Sequence, residues 1–172
     1  MTFEEHEKNF YKCLDEGKMG EIMAARLLER LNFDIEDVRD DAAWRARDVD
    51  FIGTKRGKTI RFEVKTNSNI KAYNSMCFES LIHRPKGTVD GWLEYSEADV
   101  FIFCDSSCGD IYFIKNDTHK IKVWGNKSVH MNYAEGNRDE LIILKVDQAR
   151  EHGLLKAKFN YYDFCMPDDE LF

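Results

Sequence analysis

Between Asp48 and Thr66 the chain alternates apolar and polar residues in two runs. These are Asp48-Val-Asp-Phe-Ile52 and Thr59-Ile-Arg-Phe-Glu-Val-Lys-Thr66, separated by Lys55-Arg-Gly-Lys58. A period of two marks a strand with unlike faces, because successive side chains leave a pleated backbone on opposite sides. The glycine-bearing spacer reads as the turn of a hairpin. In the second run Ile60, Phe62 and Val64 share one face, and Arg61, Glu63 and Lys65 the other. In the first run Val49 and Phe51 oppose Asp48 and Asp50. A hairpin of this kind must cover its apolar face and leave its charged face wet or paired.

A helix upstream supplies a cover. Residues 3–15 carry Phe3, Phe10, Tyr11 and Leu14 at helical spacing, and predict a short amphipathic helix that Gly17 and Gly20 interrupt. A second helix is expected over 21–31, where Met19, Met23, Leu27 and Leu31 recur every fourth residue. Ala24 and Ala25 are small enough to let it lie close on a sheet. Further strands are expected over 33–38, 99–104, 111–115 and 121–124, and a short helix over 146–152. Residues 69–96 read as irregular and polar. The whole is expected to form one α/β domain over residues 1–165, followed by an acidic, mobile tail over 166–172.

Charge is unevenly spread. The 172 residues carry a net charge of −7. From Arg45 to Lys86, ten basic residues stand against four acidic ones, a net of +6 that leaves −13 for the flanks. A basic centre around carboxylates suits a phosphate-binding face, and a solvated surface of mixed charge is the plainer reading. The five cysteines, Cys13, Cys77, Cys104, Cys108 and Cys165, are odd in number and scattered, which suits reduced thiols in a cytoplasmic protein. Cys104, Cys108 and His119 match no strong zinc spacing. No apolar run reaches the length of a membrane span and the start of the chain lacks a signal peptide's apolar core.

The order of charges on the hairpin is more specific than its alternation. Asp50 is followed after twelve residues by Glu63, then Val64, then Lys65. With Arg47-Asp-Val-Asp-Phe51 and Phe62-Glu-Val-Lys-Thr66 quoted as they stand, residues 17–105 resemble the PD-(D/E)xK nuclease superfamily. Val49 stands where the family's name has proline, and no long helix is evident between the third and fourth core strands. The resemblance implies a restriction-endonuclease-like αβββαβ core, with a mixed central sheet flanked by helices. It implies a metal-dependent hydrolase of phosphodiester bonds, most naturally in DNA. Mg²⁺ is the expected cofactor, with Mn²⁺ a substitute, held by Asp50, Glu63, the Val64 carbonyl and Glu21. Two carboxylates on adjacent strands are hard oxygen donors of the kind Mg²⁺ takes, and a cation there would polarise the phosphate and acidify a water. Lys65 would orient that water or stabilise developing negative charge; its alternative is a salt bridge with Glu63. Glu21 has an equal alternative as an exposed helix-start glutamate, and Asp48 competes with Asp50 as first ligand.

Nucleic-acid contacts are expected from Asn67, Lys71, Tyr73, His83, Arg84 and Lys86, short polar, aromatic and basic groups after the second run. Trp44 and Trp92 read as core or loop anchors. A homodimer accords with enzymes that cut two strands. The end, Pro167-Asp-Asp-Glu-Leu-Phe172, resembles the acidic tip of bacterial single-stranded-DNA-binding proteins, which implies a replication or repair partner or a fold-back over the basic centre. Two other readings stand beside the nuclease: an inert nucleic-acid-binding module of the same fold, and an acidic interaction protein.

Overall fold

A computed structural model describes residues 3–132 and 136–165, with side chains over 15–131 and 136–163. The acidic tail over 166–172 lies outside the described residues. The expected strand-turn-strand is present as β2 (Phe51–Lys55) and β3 (Lys58–Asn67), paired antiparallel from Phe51↔Phe62 to Lys55↔Lys58. Arg56 and Gly57 at its tip both have positive φ, 51° and 74°, as a two-residue turn matched to the strand twist requires. The hairpin is extended by β1 (Asp34–Asp37) on its outer side. On the inner side β3 runs parallel to β6 (Val100–Asp105), and β7 (Asp110–Lys115) and β10 (Leu155–Asn160) complete a mixed six-stranded sheet.

Helix α1 (Phe3–Arg30) covers one face of this sheet. Met23, Ala24, Leu27 and Leu28 pack there with Phe62, Val64, Ile102, Cys104 and Phe113. The helix is continuous, so the expected break at Gly17 and Gly20 does not occur. Gly20 is instead where the helix touches the sheet, since a Cβ there would lie 2.0 Å from Thr66 Oγ1. A local helix penalty of about 1 kcal/mol for glycine is small beside the packing that continuity preserves.

The other face carries more than the flanking helices that were expected. A second, antiparallel sheet lies against it. The chain reaches this sheet after α2 (Ala42–Arg45) and α3 (Ile70–Tyr73), two short helices in the connections. The sheet is ordered β5 (Gly87–Asp90), β4 (Ser75–Arg84), β9 (Asn137–Lys145), β8 (Asn126–Asn132). Between the sheets lie Met76, Phe78, Phe101, Phe103, Tyr112, Ile142 and Leu144, all essentially without solvent contact. Residues 69–96, expected to be irregular, therefore hold β4, β5 and α4 (Trp92–Tyr95). Their alternation is legible in Met76, Phe78 and Ser80, which are buried between less buried neighbours. Residues 121–124, expected as a strand, belong to helix α5 (Thr118–Trp124), which Asp117 caps by accepting from the Lys120 amide. The expected short helix is α6 (Val146–Glu151), and α7 (Tyr161–Cys165) closes the described chain. Among the described helices none is long and apolar enough to cross a membrane. Cys77, Cys104 and Cys108 are free thiols.

Candidate functional site

The polar face of β3 points away from α1, as its alternation requires. Phe62 and Val64 are buried under the helix, whereas Glu63 and Lys65 rise beside Phe101 and Phe103 of β6, their register partners. They meet two aspartates from the segment before β2. That segment is not yet strand. Asp48 has φ of 54°, a left-handed conformation that asparagine and aspartate tolerate better than most residues. The kink also sends Val49 into the core between the sheets and Phe51 into the core under α1, so the expected shared face of Val49 and Phe51 does not form. Alternation fails here because β2 begins only at Phe51.

The result is three carboxylates around one ammonium. Lys65 Nζ donates to Glu63 Oε1 at 2.7 Å and to Asp48 Oδ1 at 3.1 Å. Asp50 Oδ2 accepts from the Val64 amide at 2.8 Å, and the Asp50 amide donates to the Phe62 carbonyl at 2.9 Å. N–H and C=O of one strand residue leave on the same edge, so the Val64 carbonyl opens on the side of Asp50. The salt bridge anticipated as the alternative for Lys65 is thus present, with Glu63, among the acidic groups. Asp48 and Glu63 side chains retain only 13% and 8% exposure. Asp48 Oδ2 is buried and has no hydrogen-bond partner.

These groups perturb one another. Burial pushes the Glu63 carboxyl up to about 9; Lys65 opposes the rise, and Asp50 and Asp48 add to it. Burial also raises Asp50, against the hydrogen bond from the Val64 amide and with help from the Glu21 charge. Burial works against a charged Lys65, but the Glu63 and Asp48 carboxylates outweigh it and raise the ammonium above its ordinary value. The ammonium stays charged, and the crowding of carboxylates falls on Glu63, the one most strongly desolvated.

The second sheet supplies a wall that the sequence did not reveal. Trp92 of α4 lies with its ring centroid 4.6 Å from Lys65 Nζ. Gly91, just before it, is held against β4, where a Cβ would lie 2.4 Å from the Glu79 carbonyl oxygen. Glu79 is raised first by burial and then by Asp139, and it also feels the charges of Lys65 and Asp48. After α4, Ser96 Oγ donates to the Asp48 carbonyl at 3.2 Å and the Glu97 amide to the Arg47 carbonyl at 2.8 Å. One short segment thus touches both Lys65 and the backbone of Asp48. These contacts join residues about 30 to 50 positions apart in the chain and leave no periodic trace, which is why only tertiary structure shows them.

Glu21, on α1, is placed beside Asp50 electrostatically, but its carboxylate pairs with Arg39 at 2.5 Å. Arg39 also forks onto Asp37, through Nε at 2.9 Å and Nη2 at 2.5 Å. Among the described residues, no three His, Cys, Asp or Glu side chains are already gathered into a metal cage.

The anticipated nucleic-acid contacts divide into two places. Asn67 ends β3, and its Oδ1 is buried without a partner. Lys71 and Tyr73 follow on α3, with Tyr73 70% exposed. His83, Arg84 and Lys86 lie instead at the far end of β4 and its turn into β5. From Glu79 to Arg84 an extended strand covers roughly 17 Å. His83 is tied down between Thr88 Oγ1 at 2.9 Å and Glu140 Oε1 at 2.5 Å. Arg84 and Lys86 line an open cavity of about 500 Å³ with Thr88, Val89 and Asn137. The basic centre is also partly neutralised, because Arg61 pairs with Asp99 and Glu97, and Arg47 with Glu97. The chain matches no protein-family model, no curated protein and no solved structure.

Proposed function

We propose that this chain is a metal-dependent nuclease of the PD-(D/E)xK type that hydrolyses phosphodiester bonds, in DNA by preference. The observation that carries the reading is the gathering of Asp48, Asp50, Glu63 and Lys65 at one place on the polar face of β3. The order α1, β1, β2, β3 and then β6 parallel to β3 supports the αβββαβ core. In place of a long helix before β6, this chain has α3, α4 and two strands of the second sheet.

The donor set suits a hard cation. Asp50, Glu63 and the Val64 carbonyl offer only oxygen, and the buried Asp48 Oδ2 adds an unmatched acceptor. The carboxylates outnumber the ammonium, so the site attracts positive charge. Asp50, Glu63 and Val64 would hold Mg²⁺ or Mn²⁺, with Glu21 available from α1. When bound, the ion supplies Lewis-acid polarisation of the phosphate and a nucleophile at neutral pH. Lys65 would meet the negative charge that develops on the phosphoryl oxygens. Asp48 keeps Lys65 aimed, and the Val64 amide fixes the Asp50 carboxylate. Asn67, Lys71 and Tyr73, at the end of β3 and on α3, are the nearer candidates for substrate contacts, with Arg84 and Lys86 gripping a more distant stretch of backbone.

The test is cleavage of a panel of single-stranded, duplex and branched DNA and RNA with Mg²⁺, with Mn²⁺ and with EDTA. Wild type should cut in metal and not in EDTA. Lys65→Ala should abolish cutting while keeping nucleic-acid affinity within about tenfold, roughly 1.4 kcal/mol. Asp50→Asn should weaken Mn²⁺ binding by calorimetry in a folded protein. Binding without cleavage by wild type would establish the inert module instead, and retained cleavage in Lys65→Ala would remove Lys65 from the mechanism.

A further inference from the structure

Lys65 has three N–H bonds, and two are taken by Glu63 and Asp48. Its remaining side faces the indole of Trp92 at 4.6 Å from the ring centroid, well within the range of a cation–π contact. The indole is itself fixed. Its centroid lies 5.1 Å from that of Phe101 and 5.6 Å from that of Phe78, both fully buried between the two sheets. Gly91, immediately before it, allows α4 to approach β4 to a distance that any side chain would prevent.

We propose that Trp92 is a positioning residue for Lys65: with Asp48 it forms a cradle that holds the ammonium in place independently of Glu63. The inference rests on the nuclease reading for its catalytic consequence, and on geometry alone for the cradle. The physical reason for an indole at this place is its charge. A fourth carboxylate would hold Lys65 equally well but would add to a cluster already crowded with negative groups. A ring face attracts the ammonium and takes up its third N–H without adding a net charge. It also keeps water off that side of the amine, which leaves a long, flexible side chain with one orientation in place of several. If Glu63 is engaged by a cation, Lys65 still has Asp48 and Trp92. The N–H released from Glu63 is then the one free to point at substrate.

A lysine lying on an indole face has a signature that a purely structural tryptophan does not give it. The Lys65 Hε protons should be shifted upfield by the ring current. They can be observed in ¹³C-lysine-labelled protein and assigned by their loss in Lys65→Arg. The shift should persist in part in Trp92→Phe, which keeps a ring, and collapse toward the values of the exposed lysines in Trp92→Leu. In the cleavage assay Trp92→Leu should lower kcat by roughly fivefold with KM nearly unchanged, and Trp92→Phe should recover most of the loss. Unshifted Hε protons in the wild-type protein would overturn the cradle outright, with no variant needed. So would a shift that survives in folded Trp92→Leu, or a Trp92→Leu loss that falls on KM alone. If wild type cuts nothing, the nuclease reading fails while the chemical shift still decides whether Trp92 holds Lys65.

Discussion

Asp48, Asp50 and Glu63 compete for the charge of Lys65, and the loser is identifiable. Glu63 is the most buried of the three in side-chain environment and is raised to about 9 from an ordinary value of 4.5. The sign of the consequence follows directly. Between those values the folded chain holds a proton that the unfolded chain has released, so stability falls as pH rises through the window. Urea unfolding near neutrality and near pH 9 should show a falling midpoint in wild type and a shallower fall in Glu63→Gln; a midpoint that rises with pH in wild type would contradict the assignment. The same proton must leave when a cation binds, so metal affinity should increase with pH over the upper part of that range. Arg39 offers a second handle. It is a counter-charge held on Glu21, beside Asp50. Arg39→Ala should strengthen Mn²⁺ binding by roughly threefold, a modest figure because the pair is about one-third exposed. Calorimetry showing unchanged or weaker binding would place Glu21 outside the metal site.

At the level of elements, the contact of α1 with β3 turns on one missing side chain. Gly20→Ala gains helix propensity, about 1 kcal/mol, but sets a methyl group 2.0 Å from Thr66 Oγ1. The clash should dominate, with a net loss of roughly 1–3 kcal/mol in denaturant unfolding. Gly17 is the control on the same helix. Nothing lies within 4 Å of its added Cβ, so Gly17→Ala should stabilise by up to about 1 kcal/mol. Equal effects at the two positions would mean that α1 does not rest on Thr66. These glycines also show where the sequence can be read and where it cannot. The pattern through 59–66 placed Phe62 and Val64 in the core and Glu63 and Lys65 opposite, because alternation is a local property of one strand. Gly17 and Gly20 read as breaks because their local cost is visible and the packing that offsets it is not. The face expected for Val49 fails for a similar reason: the left-handed turn at Asp48 is set by its surroundings, the Ser96 contact among them. Trp92 reaches the site by long-range packing alone, and nothing in its neighbours along the chain announces it.

For the whole molecule, the two groups of basic residues make separable predictions. Lys71 lies on α3 just past β3, whereas Arg84 and Lys86 lie at the hairpin between β4 and β5. If the second group tracks a nucleic-acid backbone, Arg84→Ala and Lys86→Ala should each reduce the salt slope of DNA affinity by about one and leave kcat unchanged. Fluorescence anisotropy at a series of salt concentrations measures this, and an unchanged slope would confine substrate to the neighbourhood of α3. The path of the chain has a further consequence. It leaves the six-stranded sheet after β3, builds β4 and β5, returns for β6 and β7, leaves again for β8 and β9, and returns for β10. Neither sheet is therefore contiguous in sequence. The parallel pair itself joins Phe62 to Val100 across the whole of β4 and β5. Pairings this distant are slow to find, because loop closure is costly before any contact rewards it. A ribosome releasing this chain cannot complete the four-stranded sheet until β9 has emerged, nor the six-stranded sheet until β10 has, so the nascent protein spends most of its synthesis with open strand edges, and truncation ahead of β10 should give aggregates and not a smaller folded domain.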